Sequence, residues 1–305
     1  MREAFVKTLC ELAAQDSRIL LLTGDLGFMA LEAFRDRFPD RFINAGVAEQ
    51  NMLGLATGLA EAGFRPYVYS IATFASLRAL EFIRNGPVLH RLPVRVVGMG
   101  MGFEYGHAGS THYAVEDIGV LRTLPGLTLV IPADPEQAAS AIRGTHGLSG
   151  PAYYSLGKDD RYTVPSLQGR FELGRIQVLR PGGSIAIVAM GSISQEAVAA
   201  ADILDDRGVK TSIAIVSNFS PDPESDLVEF LSGIRYVFSV EAQTLSGGLG
   251  AFVGSVIACH ALPCKLRMLG VRTSPDGTSG SQQERWRKHG LDRDSIVKNI
   301  LEVMG

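Results

Sequence analysis

The sequence predicts an α/β protein of two domains, each a three-layer unit built on a parallel sheet with helices on both faces. Short apolar runs typical of buried parallel strands alternate with amphipathic helical stretches along the chain. The alternation breaks once, at about 157–183, where the sequence is polar and contains several Pro and Gly residues. A length of 305 residues also suits about two domains. We therefore expect a first domain at 1–175 and a second at 176–305.

In the first domain, five apolar runs predict buried strands, and the stretches around them have the apolar spacing of helices. The predicted strands are 19–23, 67–71, 94–98, 127–131 and 152–156. The predicted helices are 2–15, 49–63, 74–90, 114–123 and 135–146. The last of these helices has a clear start, because Asp134 is a favoured N-cap residue and Pro135 a favoured first helical residue.

The second domain repeats the alternation over a shorter length. Its predicted strands are 184–190, 211–216, 235–240 and 266–270. One predicted helix ends at Arg207, and the others lie near 223–232, 247–261 and 293–303. Ser192 and Gln195 suggest a capping box at the start of the first of them. Glu241 follows a strand, where ligands bind in such sheets, but we favour a structural or interface role for it.

Composition excludes several classes of function. The hydrophobic fraction is 46%, the charged fraction 20% and the net charge −3, with no block of like charges. This pattern does not indicate a nucleic-acid or membrane partner. No apolar run approaches the roughly 20 residues that span a bilayer, and the first residues do not resemble a signal peptide, so we expect a cytoplasmic protein. Three cysteines, Cys10, Cys259 and Cys264, are too few for a disulfide framework and predict reduced packing residues.

The stretch 43–52 places one carboxylate between a turn and a long apolar helix. Gly46 permits a tight turn from strand to helix, and Glu49 then lies in the first helical turn. Because the helix dipole favours negative charge there, Glu49 could be a surface residue that only supports its helix. The alternative is a functional carboxylate at the end of a strand.

Two other loops concentrate polar residues immediately after predicted strands. The loop at 98–113 is rich in glycine and carries His107 and His112, which suits close approach of a small ligand to the backbone. His112 could instead satisfy local backbone groups. The loop at 72–78 carries Phe74, which is either a core residue or a platform for a flat ligand. We find no Ser-His-Asp arrangement, metal-ligand spacing or phosphate-binding loop of the NTPase type.

Together these segments resemble the transketolase family, in the order in which the family has them. The resemblance covers nearly the whole chain and is that of the pyrimidine-binding and C-terminal domains, which form the second subunit of split transketolases. The matching segments are Asn44–Met52, Thr73–Phe74, Gly109–His112, Glu116–Asp117, Leu124–Pro125 and Pro132–Asp134.

This resemblance implies a thiamine diphosphate enzyme whose cofactor lies between two chains. Glu49 would hydrogen-bond N1′ of the aminopyrimidine and promote the tautomer that removes the C2 proton of the thiazolium. Phe74 would stack on the same ring. Asp25 and Arg78 are further cofactor-binding candidates by the same resemblance.

The resemblance also implies substrate contacts. His112 would lie near the reacting carbonyl, where a donor stabilises charge that develops as the carbon–carbon bond breaks. Arg2 and Lys158 correspond to basic residues that hold a sugar phosphate, and His107 is a fourth substrate-binding candidate. The reaction implied is transfer of a two-carbon ketol unit between sugars or sugar phosphates.

The chain departs from the family pattern at three substrate positions. Ala108 stands where most transketolases have an aspartate that reads a substrate hydroxyl. Gly100 and Met29 fall where larger members have histidine and serine contacts to phosphate, and neither supplies such a donor. We therefore hypothesise that the substrates are not the standard pair of pentose phosphates.

The motif for the diphosphate half of the cofactor is missing. Family members hold Mg²⁺ and the diphosphate through Gly-Asp-Gly and a later Asn, which Gly24-Asp25-Leu26 does not provide. We therefore expect no metal ligands here, and a partner chain that holds Mg²⁺ and the diphosphate. The assembly would be a heterotetramer built on a homodimer of this chain.

Two alternatives stay open. The beta chain of a 2-oxo acid dehydrogenase shares the two domains and the cofactor glutamate, although Glu49–Met52 and the Gly-x-Thr-His loop are closer to transketolase. A non-catalytic scaffold subunit would retain the fold without the chemistry.

Overall fold

The computed structural model describes residues 1–272 and 276–304, which form helices packed around two sheets. The strands are β1 (Ile19–Thr23), β2 (Phe42–Asn44), β3 (Arg65–Ile71), β4 (Arg95–Met99), β5 (Thr128–Val130), β6 (Ala152–Leu156), β7 (Ile176–Arg180), β8 (Ile185–Met190), β9 (Thr211–Val216), β10 (Asn218–Phe219), β11 (Tyr236–Thr244) and β12 (Lys265–Val271). The helices are α1 (Arg2–Gln15), α2 (Glu32–Arg37), α3 (Glu49–Glu61), α4 (Leu80–Ile83), α5 (Asp117–Leu121), α6 (Pro135–His146), α7 (Ser194–Asp206), α8 (Glu224–Leu231), α9 (Leu249–Cys259), α10 (Gln282–His289) and α11 (Arg293–Met304).

The first sheet has seven strands in the order β10-β5-β6-β4-β3-β1-β2, and the second has five in the order β12-β11-β8-β9-β7. Most neighbours are parallel, but β10 runs antiparallel to β5 and β7 antiparallel to β9. The predicted α/β class with helix-covered sheets is confirmed, with the correction that both sheets are mixed. The second sheet begins at Ile176, whereas β10 lies later in the chain and returns to the edge of the first sheet.

Continuous apolar sequence explains why the central strands form the core. All five residues of β1, β4 and β6 are buried, as expected of parallel strands covered on both faces. One hydrophobic cluster packs around the first sheet and includes Phe5 and Val97. A second cluster packs around the second sheet and includes Ile187 and Trp286.

Several predicted helix boundaries are wrong. The single helix expected at 74–90 is instead a π-helical turn at Phe74–Arg78, then α4, then a second π-helical turn at Arg84–Val88 that contains Pro87. The helix expected at 114–123 is reduced to α5.

One cap prediction is correct and another is wrong. Asp134 accepts a hydrogen bond from the Gln137 backbone N–H at 2.8 Å and caps α6. Ser192 and Gln195 form no capping box, because a 3₁₀ turn at Gly191–Ile193 precedes α7 and its N-cap residue is Ile193, whose side chain makes no cap bond. The capping box that the structure contains joins Ser281 and Glu284 at the start of α10.

Across the described ranges, the search for a helix long and apolar enough to cross a membrane finds none.

Candidate active site

The candidate site lies at one edge of the first sheet, where parallel strands end. β1, β2, β3, β4 and β6 are parallel to one another, so their carboxyl ends share this edge. Ligands bind at this edge in open α/β sheets. The segments that follow these strands carry Asp25, Glu49, Phe74, His112 and Lys158, respectively.

Glu49 is buried at the start of α3. Gly46, with φ of 76°, turns the chain from β2 into the helix. The Glu49 side chain is only 1% exposed. The interpretation of Glu49 as a surface charge is therefore wrong, because a buried carboxylate needs specific partners to offset its desolvation.

Both carboxylate oxygens of Glu49 have such partners. The Ser70 hydroxyl, near the end of β3, donates to Oε1 at 3.0 Å. The Arg78 guanidinium donates to Oε2 at 2.7 Å, and the Arg78 side chain is 42% exposed. A buried carboxylate is thus paired with a cation that also reaches the surface.

Phe74 lies beside this ion pair and is half-buried. The Arg78 guanidinium carbon is 4.1 Å from the centre of the Phe74 ring, a cation–π distance. The His112 ring meets Phe74 edge-on, with ring centres 5.1 Å apart and planes inclined at 62°. Glu49, Arg78, Phe74 and His112 therefore form one continuous cluster.

The backbone that carries Phe74 and Arg78 is π-helical, a conformation often found at functional sites. It packs closely on β4, because a Cβ atom at Gly98 would lie 3.0 Å from the Ala72 Cα and 2.3 Å from the Tyr153 hydroxyl oxygen. The bare backbone at Gly98 therefore allows the segment to approach the sheet.

The cluster continues from His112 to two cations through Tyr105. The His112 and Tyr105 ring centres are 6.3 Å apart, and the Lys158 ammonium is 4.8 Å from the Tyr105 ring centre. Burial raises the pKa of Tyr105 and the positive charge of Arg2 lowers it, so Arg2 also lies near this ring. The Lys158 backbone N–H donates to the carboxylate of Glu104, whose pKa burial raises to about 7.

Asp25 belongs to the turn that follows β1. Its backbone N–H donates to Asn44 Oδ1 at 3.0 Å, and Asn44 Nδ2 donates to Asp25 Oδ1 at 3.1 Å. A Cβ atom at the neighbouring Gly24 would be 3.9 Å from Glu49 Oε1. Asp25 is thus fixed at the rim of the site.

His107 lies toward a different element of the structure. It is exposed, and its positive charge contributes to lowering the pKa of Glu284 at the start of α10. The contacts that join Phe74, His112 and Tyr105 do not include His107.

Glu241, in β11, has the structural environment that we favoured. Its carboxylate is buried and accepts the backbone N–H groups of Leu249 and Gly250 at 2.7 and 2.8 Å. It therefore binds the start of α9, where the helix dipole favours an acceptor. Burial nevertheless raises the pKa of Glu241 to about 7.

The sequence interpretation missed Ser70 and Tyr105. Ser70 interrupts the apolar run of β3 one residue before the strand ends, and a small polar residue there is a usable signal. Tyr105 is an aromatic residue in a glycine-rich loop, but nothing in the spacing indicates that it packs beside His112.

No group of three or more His, Cys, Asp or Glu side chains that could hold a metal ion occurs within residues 1–272 and 276–304.

Fold and site together define a two-domain α/β chain with a buried glutamate beside an aromatic ring at the carboxyl edge of its first sheet. Residues 1–158 match the family described as the transketolase pyrimidine-binding domain, and residues 174–296 match the transketolase C-terminal domain. The chain therefore belongs to the transketolase family. This family uses thiamine diphosphate, and the chain is a transketolase-like enzyme subunit, as the sequence resemblance implied.

Curated relatives match over most of their length. One of the two subunits of an apulose-4-phosphate transketolase of Actinobacillus succinogenes is 34% identical over 88% of this chain and 87% of its own. A 6-deoxy-6-sulfo-D-fructose transketolase subunit of Clostridium sp. is 32% identical over 99% of this chain and 94% of its own.

Solved structures agree. One described as a split gene transketolase, inactive beta4 tetramer, has a TM-score of 0.87 and 32% identity, over 99% of this chain and 97% of that one. A transketolase from Campylobacter jejuni shares the fold, with a TM-score of 0.80 and 18% identity, and this chain spans 46% of its length.

Proposed function

We propose that this chain supplies the cofactor-activating glutamate of a two-subunit enzyme that transfers a two-carbon ketol unit between sugars or sugar phosphates. The observation that carries the proposal is the pairing of buried Glu49 with Phe74 at the edge of the first sheet. When bound, thiamine diphosphate supplies the nucleophilic carbon that takes up the ketol unit.

The environment of Glu49 fits an aminopyrimidine. The Arg78 guanidinium is a flat donor group, and it contacts the Glu49 carboxylate and the Phe74 ring at the same time. Glu49 and Phe74 can therefore hold a planar ring that carries donors. Glu49 would exchange a proton with N1′ and Phe74 would stack on the ring. Arg78, which is partly exposed, would adjust to the cofactor or stay paired with Glu49 beside it.

The other candidates take substrate or cofactor roles in this proposal. His112 would donate to the oxygen of the reacting carbonyl. Lys158 and Arg2, both near Tyr105, would bind an anionic group of the substrate. His107 would contact the substrate from the side of α10, and Asp25 would contact the cofactor from the rim.

We further propose that a partner chain holds Mg²⁺ and the diphosphate. The sequence Gly24-Asp25-Leu26 does not provide the family motif, and relatives of this length are named as single subunits of transketolases. A split transketolase chain of similar structure is described as an inactive tetramer, which supports a chain that assembles with itself but needs a partner. We propose a heterotetramer built on a homodimer of this chain, with domains divided near residue 175. Its cytoplasmic location stays a prediction.

The substrate that we propose is a ketose with an anionic end, outside the standard pentose phosphate pair. The two relatives are named for apulose 4-phosphate and for 6-deoxy-6-sulfo-D-fructose. Their carbon skeletons differ, but each has a phosphate or sulfonate. Lys158 and Arg2 suit either group, and Ala108, Gly100 and Met29 lack the donors of larger family members.

The reaction class can be tested in the assembled complex with thiamine diphosphate and Mg²⁺. We expect ketol transfer from a panel of anionic ketoses to aldose acceptors, and no decarboxylation of branched 2-oxo acids or pyruvate. Faster 2-oxo acid decarboxylation than ketol transfer would favour the beta chain of a 2-oxo acid dehydrogenase. Robust turnover of xylulose 5-phosphate with ribose 5-phosphate would contradict the proposed substrate class.

A further inference from the structure

Tyr105 lies against the bare backbone of Gly100. A Cβ atom at Gly100 would be 2.2 and 2.3 Å from two ring carbons of Tyr105, far closer than real contacts allow. Gly100 also has φ of 85°, which favours glycine. The Tyr105 ring therefore fills the space that a side chain at position 100 would occupy.

The ring also separates the two ends of the cluster. His112, which contacts Phe74, lies on one side at 6.3 Å between ring centres. The Lys158 ammonium lies at 4.8 Å from the ring centre, and the charge of Arg2 acts on the same phenol. A substrate that reaches from His112 to these cations must pass Tyr105.

The Tyr105 hydroxyl is available to a ligand. Among the hydrogen bonds of residues 1–272 and 276–304, none uses this hydroxyl, although the residue is half-buried. A phenol can donate one hydrogen bond and accept another. It can therefore contact a hydroxyl group of a polyhydroxylated ligand.

We infer that Tyr105 is a specificity-determining residue, which contacts the substrate chain between the reacting carbonyl and the anionic end. It would replace the hydroxyl reader lost at Ala108 and reduce the space beside Gly100. The ligand class is a ketose with a phosphate or sulfonate end held by Lys158 and Arg2. This inference rests on the proposed ketol-transfer function.

The test compares Tyr105→Phe with Tyr236→Phe in the assembled complex. Tyr236 is a matched control, because its hydroxyl also makes no hydrogen bond in the described ranges and its ring also lies near a cation, with Arg235 at 5.2 Å. Two donors are used. One is the best anionic ketose from a panel that includes 6-deoxy-6-sulfo-D-fructose and xylulose 5-phosphate, and the other is hydroxypyruvate, which has the ketol group but no sugar chain.

We expect Tyr105→Phe to lower kcat/KM for the anionic ketose about tenfold, mainly through KM, since one hydrogen bond to substrate is lost. Turnover of hydroxypyruvate should change less than about twofold, and Tyr236→Phe should behave as wild type with both donors. Tyr105→Ala, which also removes the ring, should lower kcat/KM for the ketose further.

Two results would overturn the inference alone. One is equal behaviour of Tyr105→Phe and Tyr236→Phe. The other is an equal loss by Tyr105→Phe with ketose and hydroxypyruvate, which would indicate a role at the reaction centre or in the fold. Absence of ketol transfer from either donor by the wild-type complex would instead overturn the proposed function, and the inference with it.

Discussion

Replacing Glu49 by Gln should reduce ketol transfer by the assembled complex by about 100- to 10,000-fold, the range expected when general acid–base catalysis is lost. Gln has nearly the size of Glu and can still accept hydrogen bonds from Ser70 and Arg78. It cannot ionise, so it cannot exchange a proton with a ring nitrogen. The fold should be retained, because Arg78, left without its anion, is partly exposed and can be hydrated.

Glu61→Gln is the control for this prediction. Glu61 ends the same helix, α3, and is exposed, so its substitution should change turnover by less than about twofold. Turnover is measured beside the mass of the complex and its melting temperature. An intact Glu49→Gln complex with wild-type turnover would support a scaffold role, in which Glu49 has no chemical function.

Replacing Arg95 by Ala should lower the free energy of unfolding by about 3 kcal/mol or more, because charged hydrogen bonds to buried acceptors are lost. Arg95 begins β4 and is fully buried. Its guanidinium donates to the carbonyl oxygens of Gly150 at 2.6 Å and His146 at 3.0 Å, and to that of Leu148. It therefore ties the end of α6 to the first sheet and complements the helix dipole there.

Arg143→Ala provides the matched comparison on α6. Arg143 makes a surface ion pair with Glu11 at 2.7 Å, and such pairs contribute about 0–1 kcal/mol. Urea unfolding should therefore separate the two variants clearly. At a temperature where Arg95→Ala is folded, its kcat should be near wild type, because Arg95 lies at the opposite end of the strands from Glu49. Unfolding midpoints that match for both variants would contradict this account of Arg95.

These two predictions assign different roles to the two ends of the same strands. The carboxyl ends of β2, β3 and β4 lead to the proposed chemistry, whereas the start of β4 stabilises the fold. Glu49→Gln should lose activity and keep stability, and Arg95→Ala should lose stability and keep activity. A single variant that lost both equally would show that the division is wrong.

Elements with long apolar runs could be predicted from the sequence. β1, β6 and β9 have the predicted bounds, because buried parallel strands are continuous hydrophobic runs. β2, β7 and β10 were not predicted: two are very short, and β7 lies at the edge of the polar stretch taken as a connection. Their pairing depends on partners far away in the chain, which periodicity does not report. α10 was missed because its sequence is polar on nearly all sides.

The site shows the same limit. Glu49, Phe74 and His112 could be proposed from their positions after strands, because strand ends in a parallel sheet share an edge. The contact of Arg78 with both Glu49 and Phe74 could not. It depends on a π-helical turn, whose i→i+5 spacing is not visible in an apolar pattern that also fits an α-helix. The position of Tyr105 follows from the space at Gly100, which only the fold reveals.

The central claim is that this chain supplies half of a cofactor site. It is tested most directly by ketol transfer of the chain alone and of the chain co-expressed with a partner that carries the Gly-Asp-Gly motif, each at saturating thiamine diphosphate and Mg²⁺. We predict no transfer by the chain alone, transfer by the assembled complex, and loss of that transfer in Glu49→Gln. Full activity of the chain alone would contradict the claim.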